Sequence, residues 1–309
     1  MAGPRIMSGG IHARRRPRRR PKPDGFANSS ALLCVTAWMA GASPAMTELG
    51  VSAQLPPALE TGPCSLAGAA PATVVLVDDF DLLLDDGRRL ALAGLEFPRG
   101  EGEAAALRVK ALARLAEWLA EAQVFVESFA TAPDRWGHTP AQVSAPASSE
   151  PDAPLVSVGA ALLDEGLARF RPDVVATPCA KTYLAAEKGA RAEKRGVWAV
   201  EPVVDVSTTA PAELAAFAKR KGMVVATGVV TSIGETKSMI YLNFGAPRSE
   251  GFAVEIFKKN VAILESQGVF PRTLAGRRIG VRGLIDWNHG PRMEISTPAE
   301  LEVDAPDER

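Results

Sequence analysis

The sequence predicts an α+β chain in which β structure dominates, arranged as two small barrels in series. The first observation is the order of apolar segments after residue 222. Three strand-like runs (224–233, 239–244, 252–257) precede a helical run (258–267) and two more strands (277–286, 292–296). Three strands, a helix and two strands is the OB-fold order. The second observation is a similar succession earlier in the chain. Runs at 74–77 and 82–84 with an acidic turn at Asp85-Asp86-Gly87 read as a hairpin, and 88–95 reads as a third strand. A helix over 103–120 and short strands at 124–128 and 140–143 follow. The third observation is length, since 309 residues suffice for two modest domains behind a tail.

Each element has a local reason. Leu107, Ala111, Leu115 and Leu119 recur every four residues and mark the buried face of the helix over 103–120. Residues 146–154 are a polar loop, and 156–170 and 178–195 read as two further helices. On the last of these, Lys188, Arg191, Glu193 and Lys194 read as a solvated charged face. Residues 202–211 form a link, and a short helix covers 212–221. The expected organisation is a leader and linker over 1–71, a first domain over 72–199, a linker with a short helix over 200–221, and a second domain over 222–304.

The net charge of −1 hides an asymmetry. Residues 1–24 hold eight basic side chains and one acid, so the remainder carries a net charge of about −8. A protein that grips nucleic acid through phosphates needs a basic surface. The acidic bulk therefore predicts weak or no non-specific nucleic acid binding. The leader has three readings. Its Arg/Pro run, the apolar stretch 31–42 and an Ala-x-Ala at Ala40–Ala42 have the layout of a signal peptide, which implies a periplasmic or secreted protein. Residues 34–47 also resemble translated interspersed repeat DNA, in which case translation begins near Met46 and the protein is cytoplasmic. The third reading is a basic arm for nucleic acid or membrane surfaces. The apolar stretch is too short and interrupted to span a bilayer. Beyond Cys34 in the leader, Cys64 and Cys179 flank the first domain and are the candidate disulfide of an oxidising compartment. Three cysteines and three scattered histidines give no zinc spacing.

Four segments carry a family resemblance. Residues 76–99 look like the opening hairpin of a thermonuclease, or staphylococcal-nuclease-like, domain. Asp134-Arg135-Trp136-Gly137-His138 resembles the family's Asp-Arg-Tyr-Gly-Arg turn. The segment 161–168, Ala-Leu-Leu-Asp-Glu-Gly-Leu-Ala, resembles its Glu-Gly-Leu-Ala helix, and 185–198 resembles its last helix with the closing Gly-Leu-Trp. The resemblance covers about 72–199 and implies a five-stranded OB-type barrel with three helices. Segments at 228–230, 241–245 and 274–283 resemble OB-fold domains found behind thermonuclease-like domains.

The family's chemistry is another matter. Phosphodiester cleavage needs a metal to activate water and cations to hold transition-state charge. The family takes its metal carboxylates from an Asp-Gly-Asp-Thr turn and the Asp of Ile-Asp-Ala-Pro-Glu, whose Glu positions water. Two arginines clamp the phosphate, since the guanidinium fork matches its oxygens. Laid on this chain without gaps, the first metal Asp becomes Phe80, the strand Arg becomes Ala91, and the second metal carboxylate becomes Glu96. The following Thr becomes Phe97, the water-positioning Glu becomes Arg99, and the second clamp Arg becomes His138. A one-residue slip would return Asp79 or Asp81 to the metal position without restoring either arginine. The expected reading is a retained fold with a dismantled site and no cofactor. The alternative is a divergent Ca²⁺- or Mg²⁺-dependent nuclease, with Asp78 or Asp81 and Glu96 holding the metal and His138 replacing the clamp.

In the second domain, Tyr241, Arg277, Arg278, Arg282, Trp287 and Arg292 are nucleic-acid-binding candidates. OB-folds bind single strands on aromatic platforms and basic grooves. The competing reading has the aromatics filling the barrel and the arginines solvating its outside. Ten basic and nine acidic residues over 221–304 favour that second reading. No Ser/His/Asp site, P-loop or dinucleotide fingerprint is present, and the partner is not legible.

Overall fold

In the computed structural model, residues 68–150, 152–172, 177–220, 222–245, 251–288 and 290–304 are described, and all fall in one compact unit. The expected leader up to residue 67 and Cys64 lie outside the described residues.

The first barrel is built from β1 (Ala70–Asp78), β2 (Asp81–Leu84), β3 (Arg89–Leu92), β5 (Gln123–Ser128) and β6 (His138–Pro146). β1 pairs antiparallel with β2 and β5, β2 with β3, and β5 with β6. A parallel pairing of β3 with β6 closes the ring. The short β4 (Leu95–Glu96) and β7 (Leu155–Ser157) extend it. Alternation puts Val74, Leu82, Leu84, Leu90, Val124, Val126 and Val143 inside. Helix α1 (Glu103–Leu119) plugs the barrel with Ala111, Leu115 and Leu119, as its spacing predicts.

The second barrel repeats the plan with β10 (Met223–Glu235), β11 (Met239–Phe244), β12 (Ala253–Phe257), β13 (Arg278–Leu284) and β15 (Pro291–Ile295). β10 pairs with β11 and β13, β11 pairs with β12, and β12 runs parallel to β15. In both barrels the first strand bends at a bulge, between Val74 and Leu76 or between Val230 and Ser232. Its two halves thereby pair with different neighbours, which is how one strand turns a sheet into a barrel. The segment read as a link is structured. β9 (Val204–Asp205) pairs with β10, and α5 (Pro211–Arg220) buries Leu214 in the second core.

Helix α2 is shorter than the 156–170 expected and covers Val158–Asp164. The Ser157 side chain caps its start by accepting from Ala160 N–H at 3.3 Å. Its end is a Schellman turn. Gly166, at φ 68, donates to Leu163 O, and Leu167 donates to Leu162 O. The chain then forms β8 (Arg169–Phe170), which pairs with β4. After α3 (Ala180–Ala192), Gly196 at φ 52 crosses Gly166 so closely that Val197 N–H bonds Gly166 O at 2.8 Å. A Cβ on Gly166 would lie 2.3 Å from Arg195 O, and one on Gly196 would lie 2.1 Å from Gly166 O. The glycines of both helix motifs are therefore required by one backbone crossing. Cys179, at the head of α3, is buried and takes part in a disulfide. Cys64, the partner expected for it, falls outside the described residues.

The two barrels meet at a buried charge network. Arg282 of β13 donates to Glu187 at 2.7 Å, to Glu302 at 2.6 Å and to Phe170 O at 2.9 Å. Its side chain is 1 % exposed, and that of Glu187 is fully buried. Arg191 of α3 forks onto Glu302 with distances of 3.0 and 2.6 Å. Burial pushes the Glu187 carboxyl up, with the Arg282 charge opposing it. At Glu302 burial also pushes up, but the bonds and charges of Arg191 and Arg282 outweigh it and hold the group low. Beside the network Trp198, in the short helix α4 (Val197–Val200), packs with Ala190 and with Val225 of β10. Arg191 thus belongs to the junction and not to a solvated face.

Breaking one member of such a network costs about 3–5 kcal/mol, because its partner stays buried and uncompensated. Arg282→Met is therefore expected to lower stability in urea by about that amount. Adding Glu187→Met should recover most of the loss, since the apolar pair fills the same space without charge.

Candidate functional site

The first hairpin sets the site. Asp78 and Asp81 close the β1–β2 pairing, which leaves Asp79 and Phe80 as a two-residue loop. Both loop residues have positive φ, 48° and 74°, the pattern of a type I′ hairpin turn. That conformation is costly for a phenylalanine. Packing holds it there. Phe80 is buried and stacks on Phe97 with ring centroids 3.7 Å apart and planes 15° apart. The Arg108 guanidinium of α1 lies 4.7 Å from the Phe80 centroid and pairs with Asp79. Such an aromatic pair contributes about 0.5–1.5 kcal/mol beyond its buried area.

The turn places Asp81 on β2 opposite Ala91, the position matched to the family's strand arginine. Asp81 Oδ2 is 3.1 Å from His138 Nε2 and 3.5 Å from Arg89 Nη1, and Asp78 is 3.0 Å from the same Arg89 nitrogen. Arg89 and His138 are register partners on the parallel β3–β6 pair, so both reach the carboxylates from one side of the rim. Burial pushes the Asp81 carboxyl up, against the charges of His138 and Arg89. Asp134 accepts bonds from the backbone N–H groups of His138 and Trp136, and these hold its carboxyl low.

Glu96 sits elsewhere. It lies on β4 opposite Arg169 of β8, is 7 % exposed, and its Oε2 has no hydrogen-bond partner. Arg169 is equally buried and pairs with Glu201 at 2.8 Å. Arg99, at the position of the water-positioning Glu, is exposed. Among the described residues no three His, Cys, Asp or Glu side chains converge in an arrangement that holds a metal ion. The residues present therefore do not fit the family's metal. Phe80 stands at one of its ligand positions, stacked on Phe97 at the position after the other, and Arg89 already pairs with both Asp78 and Asp81.

The second-barrel candidates are dispersed. Arg282 is consumed by the junction, and its buried guanidinium offers nothing to a nucleic acid. Arg278 pairs with Asp205, and Arg277 donates to Asp304 O. Tyr241 and Arg292 do share the outer face of the β11–β12–β15 sheet. Glu255 stands between them, opposite Tyr241 and 3.6 Å from Arg292, and Glu294 sits beside Glu255 in register. Trp287 is 46 % exposed on β14 (Asp286–Trp287), at the far edge of this sheet. A face with carboxylates interleaved among its aromatic and basic groups is a poor phosphate track.

Sequence reading missed Arg89, Arg169 and Glu201. For Arg89 the signal existed, because the hairpin register brings it across from the Asp78–Asp81 turn. For Arg169 there was none, since Ala168-Arg169-Phe170 reads as the tail of a helix. No helix among the described residues is long and apolar enough to cross a membrane.

Phe80→Gly is expected to be less destabilising than Phe80→Ala by about 1 kcal/mol, because glycine alone accepts the positive φ without strain. Both lose the ring stack, so both should fall below the parent in urea unfolding. A glycine variant less stable than the alanine variant would show that the turn is unstrained.

No curated protein matched the chain in comparison. Residues 89–200 match the family model described as staphylococcal nuclease homologue, a segment that starts at β3, behind the altered hairpin, and ends with the helix carrying Trp198. Together with the closed five-stranded ring and its helices, this match places residues 89–200 in a thermonuclease-like domain.

Proposed function

We propose that this chain is a nuclease-like protein that does not cleave phosphodiester bonds and serves as a binding or scaffold module. The observation that carries the reading is the Phe80–Phe97 stack, which occupies a metal-ligand position of the family and the position after the other. Ala91 and Arg99 remove a phosphate clamp and a water-positioning carboxylate from the same constellation. Groups that act together in catalysis lose rate together. One missing charge-stabilising donor costs about a hundredfold or more. The acidic bulk of the chain and the carboxylates on the second barrel's outer face support weak binding to nucleic acid. The disulfide at Cys179 supports a periplasmic or secreted location over a cytoplasmic one.

A second reading has one observation in its favour. The Asp81–His138 contact at 3.1 Å joins a carboxylate to an imidazole, a side-chain type that serves as acid or base in catalysis. In that reading Asp78 or Asp81, with Glu96, holds Ca²⁺ or Mg²⁺, and His138 replaces the clamp. The metal would have to displace Arg89 from both aspartates.

The test is a cleavage assay on DNA and RNA with Ca²⁺, Mg²⁺ and Mn²⁺ in turn. The expected result is no cleavage above the metal-free control. Phe80→Asp, Ala91→Arg and Arg99→Glu together are the least change expected to restore any. Metal-dependent cleavage by the parent chain, abolished by Glu96→Gln, establishes the second reading instead.

A further inference from the structure

A cleft of about 810 Å³ opens between the rim of the first barrel and the β10–α5 face of the second. Glu96 and Arg169 line it, with Glu201 beside them and Phe217 of α5 as part of an apolar wall. The lining holds five carboxylates against three guanidinium groups, so the cleft is negative. Two buried atoms in it lack a partner, Glu96 Oε2 and Arg169 Nε. Arg169 is already neutralised by Glu201 at 2.8 Å. Counted by formal charge, the group formed by Glu96, Arg169 and Glu201 holds two carboxylates against one guanidinium, and that guanidinium is paired with Glu201. A buried carboxylate oxygen without a donor, as Glu96 Oε2 is, is costly unless something supplies one.

We propose that this cleft binds an organic cation, an alkylguanidinium or alkylammonium group, on the Glu96 carboxylate. The charged head gives Glu96 Oε2 its missing donor and balances the formal charge of the group. The apolar wall that includes Phe217 accommodates an alkyl stem. A divalent ion is the poorer fit. No group of three His, Cys, Asp or Glu ligands converges there among the described residues, and Glu201 beside Glu96 is already paired with Arg169. The head group has two possible sources, a free amine or a basic side chain in a peptide. The inference does not depend on the absence of cleavage, since it concerns a cleft away from the Asp81–His138 contact.

Calorimetry on the full chain tests it, with agmatine as the free alkylguanidinium and a blocked Gly-Arg-Gly peptide as the side-chain form. Saturable one-to-one binding of either probe is expected, weakened about tenfold or more by Glu96→Gln, the loss of one charge-assisted hydrogen bond. Tighter binding of the peptide assigns a protein ligand, and tighter binding of agmatine assigns a free amine. Glu96→Gln replaces a buried carboxylate that has an oxygen without a donor, so its thermal midpoint should not fall. Should that variant nonetheless misfold, Glu201→Gln, which frees Arg169 to face the Glu96 carboxylate, is expected to weaken binding and carries the test. Absence of binding by both probes, or unchanged binding in the variants, overturns the proposal. So does saturable Ca²⁺ binding that depends on Glu96 while agmatine gives no heat.

Discussion

The guanidinium of Arg282 is the constraint on which the rest of the structure leans. It projects from the second barrel into the first and is fully enclosed. There it bonds a helix carboxylate, a carboxylate of its own barrel and the carbonyl of Phe170. Phe170 belongs to the two-residue strand β8, whose other member Arg169 pairs with Glu96. One arginine thus fixes the strand that carries the wall of the inter-barrel cleft. A buried ion network of this kind is weak evidence for stability, because desolvation offsets much of its attraction. Its effect here is geometric, since four charged groups with interlocking bonds admit one docking of the barrels.

The barrels themselves were legible because their information is local. Alternation at residues 82–84 and 239–244, the four-residue spacing of α1, and turn residues between runs suffice to order strands. What was not legible came from long sequence separations. Arg282 alternates with Ile279 and Val281 and so points out of its own barrel, which reads as solvent. Only the arrival of α3, nearly a hundred residues earlier in the chain, buries it. Arg191 was misplaced for the same reason. The short α2 is a different case. Its apolar residues continue past Asp164, but Gly166 ends the helix because the chain must cross Gly196 there.

The candidate site divides along the same line. Sequence identified the missing groups by position, since Phe80, Ala91 and Arg99 can be read directly. It could not say what replaced them. The structure shows a ring stack of Phe80, matched to one ligand position of the family, on Phe97, and a cation, Arg89, between the remaining aspartates. In the function proposed here, fold and chemistry separate within this chain: the nuclease-like barrel, its helices and their glycine crossing are kept, while the hairpin no longer supplies the catalytic groups. The second barrel has the strand order of a nucleic-acid-binding fold, but its strongest arginine is spent on holding the two barrels together.

The measurement that tests this account most directly is a crystal structure of the full chain grown with Mn²⁺, read for anomalous scattering around the first hairpin. The account predicts Phe80 stacked on Phe97, Arg89 bridging Asp78 and Asp81, and no anomalous peak among these residues. A manganese ion coordinated by Asp81 and Glu96, with Arg89 swung away, would contradict it.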